Sequence, residues 1–228
     1  MSQKFIIIVA GGTGNRMQSS IPKQFIEING EPIIIKTIKI FLAYDPSINI
    51  IISVHKDFES LLNGLIINHS LQHKKIKIAL GGATRFHSVK NGLDLINDEN
   101  PDSIVAIHDA ARPFVSVQTI KNVFDTTKQK GNAIPCIQVN ESIRKVEDGN
   151  NSSVDRAQFR IVQTPQCFAV TKIKKAFKTE YNQTFTDDAT VLEFSGEKIN
   201  LVEGNIENIK ITTQFDLTLA KAFLKDEQ

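Results

Sequence analysis

The run Phe5-Ile6-Ile7-Ile8-Val9 is apolar at every position. A strand with one wet face alternates apolar and polar residues, so an unbroken run demands cover on both faces. Similar runs return at Ile48–Val54, Ile76–Leu80, Ser103–Ile107 and Ala133–Val139. Between them lie longer stretches with helical periodicity: Ile33–Tyr44, Phe58–Asn68, Ser88–Ile96 and Val117–Lys130. Strands alternating with helices predict an α/β, Rossmann-like fold. Its mostly parallel, twisted sheet carries helices on both faces and right-handed crossovers. The six-residue apolar start is too short for a secretory leader and runs into Gly11-Gly12, so it reads as the first strand.

The alternation stops after Val139. Residues 140–158 are polar and charged, with turn chemistry at Glu147-Asp148-Gly149-Asn150-Asn151-Ser152. This segment reads as a protruding β-hairpin arm at about 139–158, either a plain solvent-exposed hairpin or an arm used in dimerisation. Beyond it the pattern predicts a strand near Arg160–Gln163 and helices at Lys172–Thr179 and Asp187–Ser195, the latter capped by Asp187-Asp188. Short strands near Ile199–Val202 and Ile209–Thr212 precede a last helix, Asp216–Leu224. One domain of 228 residues with an arm is the simplest partition. Lys plus Arg is 27 and Asp plus Glu is 25, a balance that argues against a nucleic-acid binder. No apolar run approaches the ~20 residues of a membrane span. Two cysteines, Cys136 and Cys167, make no disulfide framework or zinc cage and fit a reducing, cytoplasmic compartment.

The first strand runs into Gly11-Gly12-Thr13-Gly14-Asn15-Arg16-Met17. Glycines there let the backbone come close to a ligand and turn N–H groups toward it. Open α/β sheets bind ligands at this end of the strands. The loop lacks the Gly-Lys-Ser/Thr of a P-loop and the third glycine of a dinucleotide fingerprint. Arg16 and Lys23 flank it, and two cations beside such a cradle suit a polyphosphate.

Further segments follow in order: Gly81-Gly82-Ala83-Thr84-Arg85-Phe86-His87-Ser88-Val89, His108-Asp109-Ala110-Ala111-Arg112-Pro113, Val154-Asp155-Arg156, Gln163-Thr164-Pro165-Gln166, Thr186-Asp187-Asp188-Ala189, Val202-Glu203-Gly204-Asn205 and Asn208-Ile209-Lys210-Ile211-Thr212. With the glycine loop and Pro22-Lys23-Gln24-Phe25, this series resembles the 2-C-methyl-D-erythritol 4-phosphate cytidylyltransferase family, over about Phe5 to Leu224. The resemblance implies transfer of CMP from CTP to that polyol phosphate, with release of pyrophosphate, in non-mevalonate isoprenoid synthesis. It gives Arg16, Lys23, Arg156 and Lys210 catalytic roles. It assigns CTP to Ala10, Gly11, Gly12, Thr13, Gly14, Gly81, Gly82, Ser88, Asp109 and Ala110. It assigns the polyol phosphate to Asp109, Arg112, Ser142, Arg156, Thr164 and Lys210. Arg156 would reach a neighbouring subunit's site through exchanged arms of a homodimer. Mg²⁺ is expected with CTP, on Asp109 or held by the phosphates alone. His108 reads as structural.

Ribitol 5-phosphate cytidylyltransferases share the loop, the cations and the fold, and are the nearest alternative. A nicotinamide-dependent oxidoreductase would want an acidic residue after the second strand, where Val54-His55-Lys56 stands. A non-catalytic nucleotide sensor would bind CTP without turnover.

Overall fold

The computed structural model describes residues 2–12, 21–97 and 100–224. The first strand, β1 (Lys4–Ala10), is followed by a two-residue hairpin, β2 (Glu27–Ile28) and β3 (Glu31–Pro32), then α1 (Ile33–Tyr44). Next come β4 (Asn49–Val54), α2 (Glu59–Asn68), β5 (Ile76–Leu80), α3 (Arg85–Asp94), β6 (Ile104–Asp109), α4 (Val117–Lys130) and β7 (Asn132–Gln138). The arm is β8 (Arg144–Glu147) with β9 (Asn150–Ser153). The chain closes with β10 (Arg160–Val162), β11 (Gln166–Ala169), α5 (Val170–Ala176), α6 (Asp188–Phe194), β12 (Leu201–Glu203) and α7 (Gln214–Phe223).

Eight strands form one sheet in the order β10-β7-β11-β6-β1-β4-β5, with β12 also paired to β7, while β2–β3 and β8–β9 stand apart as two-stranded pairs. Pairings β1–β4, β1–β6, β4–β5 and β12–β7 are parallel. Those of β11 with β6 and β7, and of β10 with β7, are antiparallel. Side chains of a strand point alternately to the two faces. Ile6 and Ile8 therefore pack with Ile38, Phe41, Leu62 and Phe124. Phe5 and Ile7 pack on the opposite face with Phe86, Val89, Leu93 and Phe168. Two covered faces explain why β1 tolerates no polar position in its centre.

Helix α4 occupies the span expected from its periodicity. The Ser116 hydroxyl accepts from the Thr119 N–H at its start, and Gly131 takes a left-handed φ of 88° at its end. Two departures concern the later chain. The four-residue strand β11 is inserted between β6 and β7, where the sequence shows only a short buried run. Residues Ile209–Thr212, expected as a strand, form no ladder: the Ile211 N–H bonds the Ala111 carbonyl, and the Asn208 carbonyl accepts from Arg112. This segment is pinned to the loop after β6 instead. Both cysteines are free and buried, and burial pushes the Cys167 thiol up to about 12. Among the described residues, no helix is long and apolar enough to cross a membrane.

Candidate active site

Parallel pairing brings the carboxyl ends of β1, β4 and β6 to one rim, and the loops leaving them build the site. At the end of β1, Gln24 fixes the glycine loop where it begins. Its buried amide donates to the Ala10 carbonyl at 2.7 Å and to the Gly12 carbonyl at 3.1 Å. Gln24 belongs to a single turn, Lys23–Phe25, which sets Lys23 beside Gly11 and Gly12. Thr13, Gly14 and Arg16, all assigned to the site from the sequence, lie outside the described residues.

The loop before α3 closes the other side. Ser88 is buried; its hydroxyl accepts from the Gly82 N–H at 3.0 Å and donates to the Thr84 carbonyl at 3.0 Å. With both bonds made, this hydroxyl braces the loop. A β-carbon on Gly11 would come within 2.9 Å of the same oxygen, and one on Gly82 would collide with His87. Glycine is favoured at Gly11 because the two loops approach so closely there, and at Gly82 because the first turn of α3 folds back onto it.

At the end of β6 a chain of hydrogen bonds orients the backbone. The Asp109 N–H donates to the Thr164 hydroxyl at 3.1 Å, and that hydroxyl lies 3.0 Å from His108 Nδ1. His108 Nε2 lies 3.0 Å from the Arg112 carbonyl, which can only accept, so the proton sits on Nε2 and Nδ1 accepts from Thr164. Burial pushes the His108 pKa down to about 4, keeping the ring neutral. His108 is thus a structural histidine.

Asp109 is the electrostatic centre. Its Oδ2 lies 3.0 Å from Lys210 Nζ and 3.4 Å from Arg112 Nε; its Oδ1 lies 3.4 Å from Arg85 Nε. Desolvation alone would raise its pKa. Arg85, Lys210 and Arg112 outweigh that and hold the carboxyl well below the usual carboxylate range. Desolvation likewise works against the charge of Arg85, and attraction to Asp188 and Asp109 overcomes it, raising its pKa. A carboxylate already shared by three cations does not fit a resident metal ion. Among the described residues no group of three or more His, Cys, Asp or Glu could hold one. Of the two readings of magnesium, this crowding favours the one in which Asp109 is not a ligand.

Two cavities meet at these charges. One, of about 360 Å³, is lined by residues that include Ala10, Gly11, Gly12, Lys23, Ser88 and Ala110. The other, of about 260 Å³, includes Arg112, Gln163, Thr164 and Gln166. Arg85, Asp109 and Lys210 line both. Most of the described residues assigned from the sequence thus converge. Gly81 and Gly82 do not line either cavity: Gly81 is packed under the loop, its N–H bonded to the Val54 carbonyl at 2.7 Å, and the Gly82 N–H is turned to the Ser88 hydroxyl. Nor do Ser142 and Arg156, which stay exposed on the arm. Arg156 donates there to the Asn140 carbonyl.

Sequence reasoning passed over Gln24, Arg85 and Asp188. Each lay inside a quoted motif, but their partners are remote in the chain. Asp188, expected to help cap α6, instead pairs with Arg85 across a separation of 103 residues, while Asp187 makes the cap.

Residues 5–226 match the family described as 2-C-methyl-D-erythritol 4-phosphate cytidylyltransferase. A protein of that name from Bacteroides fragilis is 43% identical over 218 residues, covering 96% of this chain and 98% of its own. One from Bacteroides thetaiotaomicron is 41% identical over 219 residues, with 96% and 98% covered. Among solved structures, the Francisella tularensis cytidylyltransferase of the same name superposes with a TM-score of 0.77 at 33% identity, covering 97% of this chain and 99% of that one. A 4-diphosphocytidyl-2C-methyl-D-erythritol synthase from Anaerococcus prevotii reaches a TM-score of 0.85 at 26% identity, with 98% and 96% covered.

Proposed function

The chain belongs to the 2-C-methyl-D-erythritol 4-phosphate cytidylyltransferase family, and from that premise we propose that it transfers CMP from CTP to 2-C-methyl-D-erythritol 4-phosphate in isoprenoid precursor synthesis. The observation that carries the reading is the pair of cavities joined at Asp109 and Lys210. CTP takes the lobe of Gly11, Gly12 and Lys23, with its base toward the Gly82–Ser88 loop. The polyol phosphate takes the lobe of Arg112 and Thr164.

A phosphate oxygen of the polyol attacks the α-phosphorus of CTP in line. The new P–O bond forms as the bond to the β-phosphate bridging oxygen breaks, and the electron pair leaves with pyrophosphate. No protein nucleophile is needed. Catalysis is positioning and charge stabilisation. Lys23, with Arg16, meets the charge growing on the phosphates; Lys210 brings the two phosphates together; Asp109 accepts from polyol hydroxyls. A divalent cation, if required, enters with CTP and is held by its phosphates, because Asp109 is already surrounded by cations.

The arm supports a further element. Arg156 and Ser142 are exposed and line neither cavity of their own chain, which fits a homodimer whose arms complete each other's pockets. The unpaired cysteines fit a cytoplasmic enzyme.

Pyrophosphate release measured across a panel of acceptors and nucleoside triphosphates tests the reading. Turnover should require CTP and methylerythritol phosphate. Turnover of ribitol 5-phosphate alone, or CTP binding with no turnover of any acceptor, would refute it.

A further inference from the structure

Arg85 stands where the two cavities meet, with no part in the mechanism above. Its guanidinium fork closes on Asp188, Nη1 to Oδ1 at 2.9 Å and Nη2 to Oδ2 at 2.7 Å, while Nε turns to Asp109. This bidentate pair is deeply placed: the Asp188 side chain is 1% exposed. Asp188 is in turn fixed by the start of α6. Asp187 caps that helix through a capping box, and Gln166 ties it down, donating to Asp187 Oδ2 at 2.7 Å and accepting from the Ala189 N–H at 2.9 Å.

The three cations on Asp109 differ in their freedom. Arg112 also donates to the Asn208 carbonyl at 2.8 Å. Lys210 is a point charge on a flexible stem with its side chain 40% exposed, so it can turn toward an arriving phosphate. A buried carboxylate that loses a partner is left undercompensated. Arg85, locked by its fork, cannot leave.

We propose that Arg85 is a positioning residue: clamped by Asp188, it holds Asp109 in place for the polyol hydroxyls while Lys210 leaves that carboxylate for the incoming phosphate. The inference rests on the cytidylyl-transfer reading. It gives the segment 81–89 two jobs, the base on its glycine side and the acceptor through Arg85.

Steady-state kinetics with each substrate varied in turn test it. Arg85→Ala should raise KM for the polyol phosphate about tenfold or more, the cost of losing a charged hydrogen bond. KM for CTP should stay within about threefold. Arg85→Lys keeps the charge but not the fork and should recover part of the loss. Asp188→Asn should shift the same parameter in the same direction. If Arg85→Ala does not fold, the lysine and asparagine variants carry the same comparison. An unchanged polyol phosphate KM, or equal losses for both substrates with no recovery by lysine, would overturn the proposal. Absence of pyrophosphate release by the unaltered protein with CTP and methylerythritol phosphate would instead refute the activity reading itself, before any variant is made.

Discussion

The strand-end rim and the hairpin arm contrast sharply within one chain. At the rim, nearly every polar group has a partner inside the fold: Thr164, His108, Ser88 and Gln24 each make two hydrogen bonds that fix a loop. On the arm, every residue of β8 and β9 is exposed, and the two strands pair only with each other. A site that must stabilise moving charge needs groups held in advance, which only the buried rim supplies. A surface strand pair with no core of its own makes sense as a structure finished by something else.

The largest effect expected is at the rim. Lys23→Ala should lower kcat about 100–1000-fold with the fold intact, as loss of one preorganised donor does. Stopped or steady-state pyrophosphate release checks it, and near-normal turnover would remove Lys23 from the reaction. Next comes the neutral histidine. Its pKa is 6.5 in the open chain and about 4 when folded. The unfolded state therefore binds more protons between those values, and stability falls as pH drops through that window, by on the order of 3 kcal/mol in full. His108→Gln should flatten this slope. Urea midpoints compared between the two proteins from about pH 7 to about pH 4 would contradict the account if the curves ran parallel.

The arm should respond differently. Arg156→Ala should raise KM for the polyol phosphate by about 10–100-fold, more than KM for CTP. Mixed dimers with Arg16→Ala in one chain and Arg156→Ala in the other should regain one working pocket, and no recovery would argue against exchange. The smallest effect is at Val146, which is 73% exposed. Val146→Ser should change the stability of an isolated chain by no more than about 0.5 kcal/mol. Sedimentation should show it weakening association; an unaltered dimer would mean that this valine is not covered by a second copy.

What the sequence made legible follows the same divide. The apolar runs at β1, β4 and β6 and the periodicity of α1 and α4 report their own burial, since each contains enough residues to show a period. Strand β11 has four residues and shows none. Residues 209–212 carry a strand-like composition but bond a neighbouring loop, which composition cannot express. In the site, glycines and single cations were readable because the chemistry of phosphate selects them. Arg85, Asp188 and Gln24 were not, because their meaning lies in partners that only the folded sheet brings near.

The most direct test is a crystal structure with CTP bound. The triphosphate should lie against Gly11 and Gly12 beside Lys23, its α-phosphate facing Asp109 and Lys210, with cytosine toward the Gly82–Ser88 loop. A nucleotide seated elsewhere, with that cavity empty, would contradict the account.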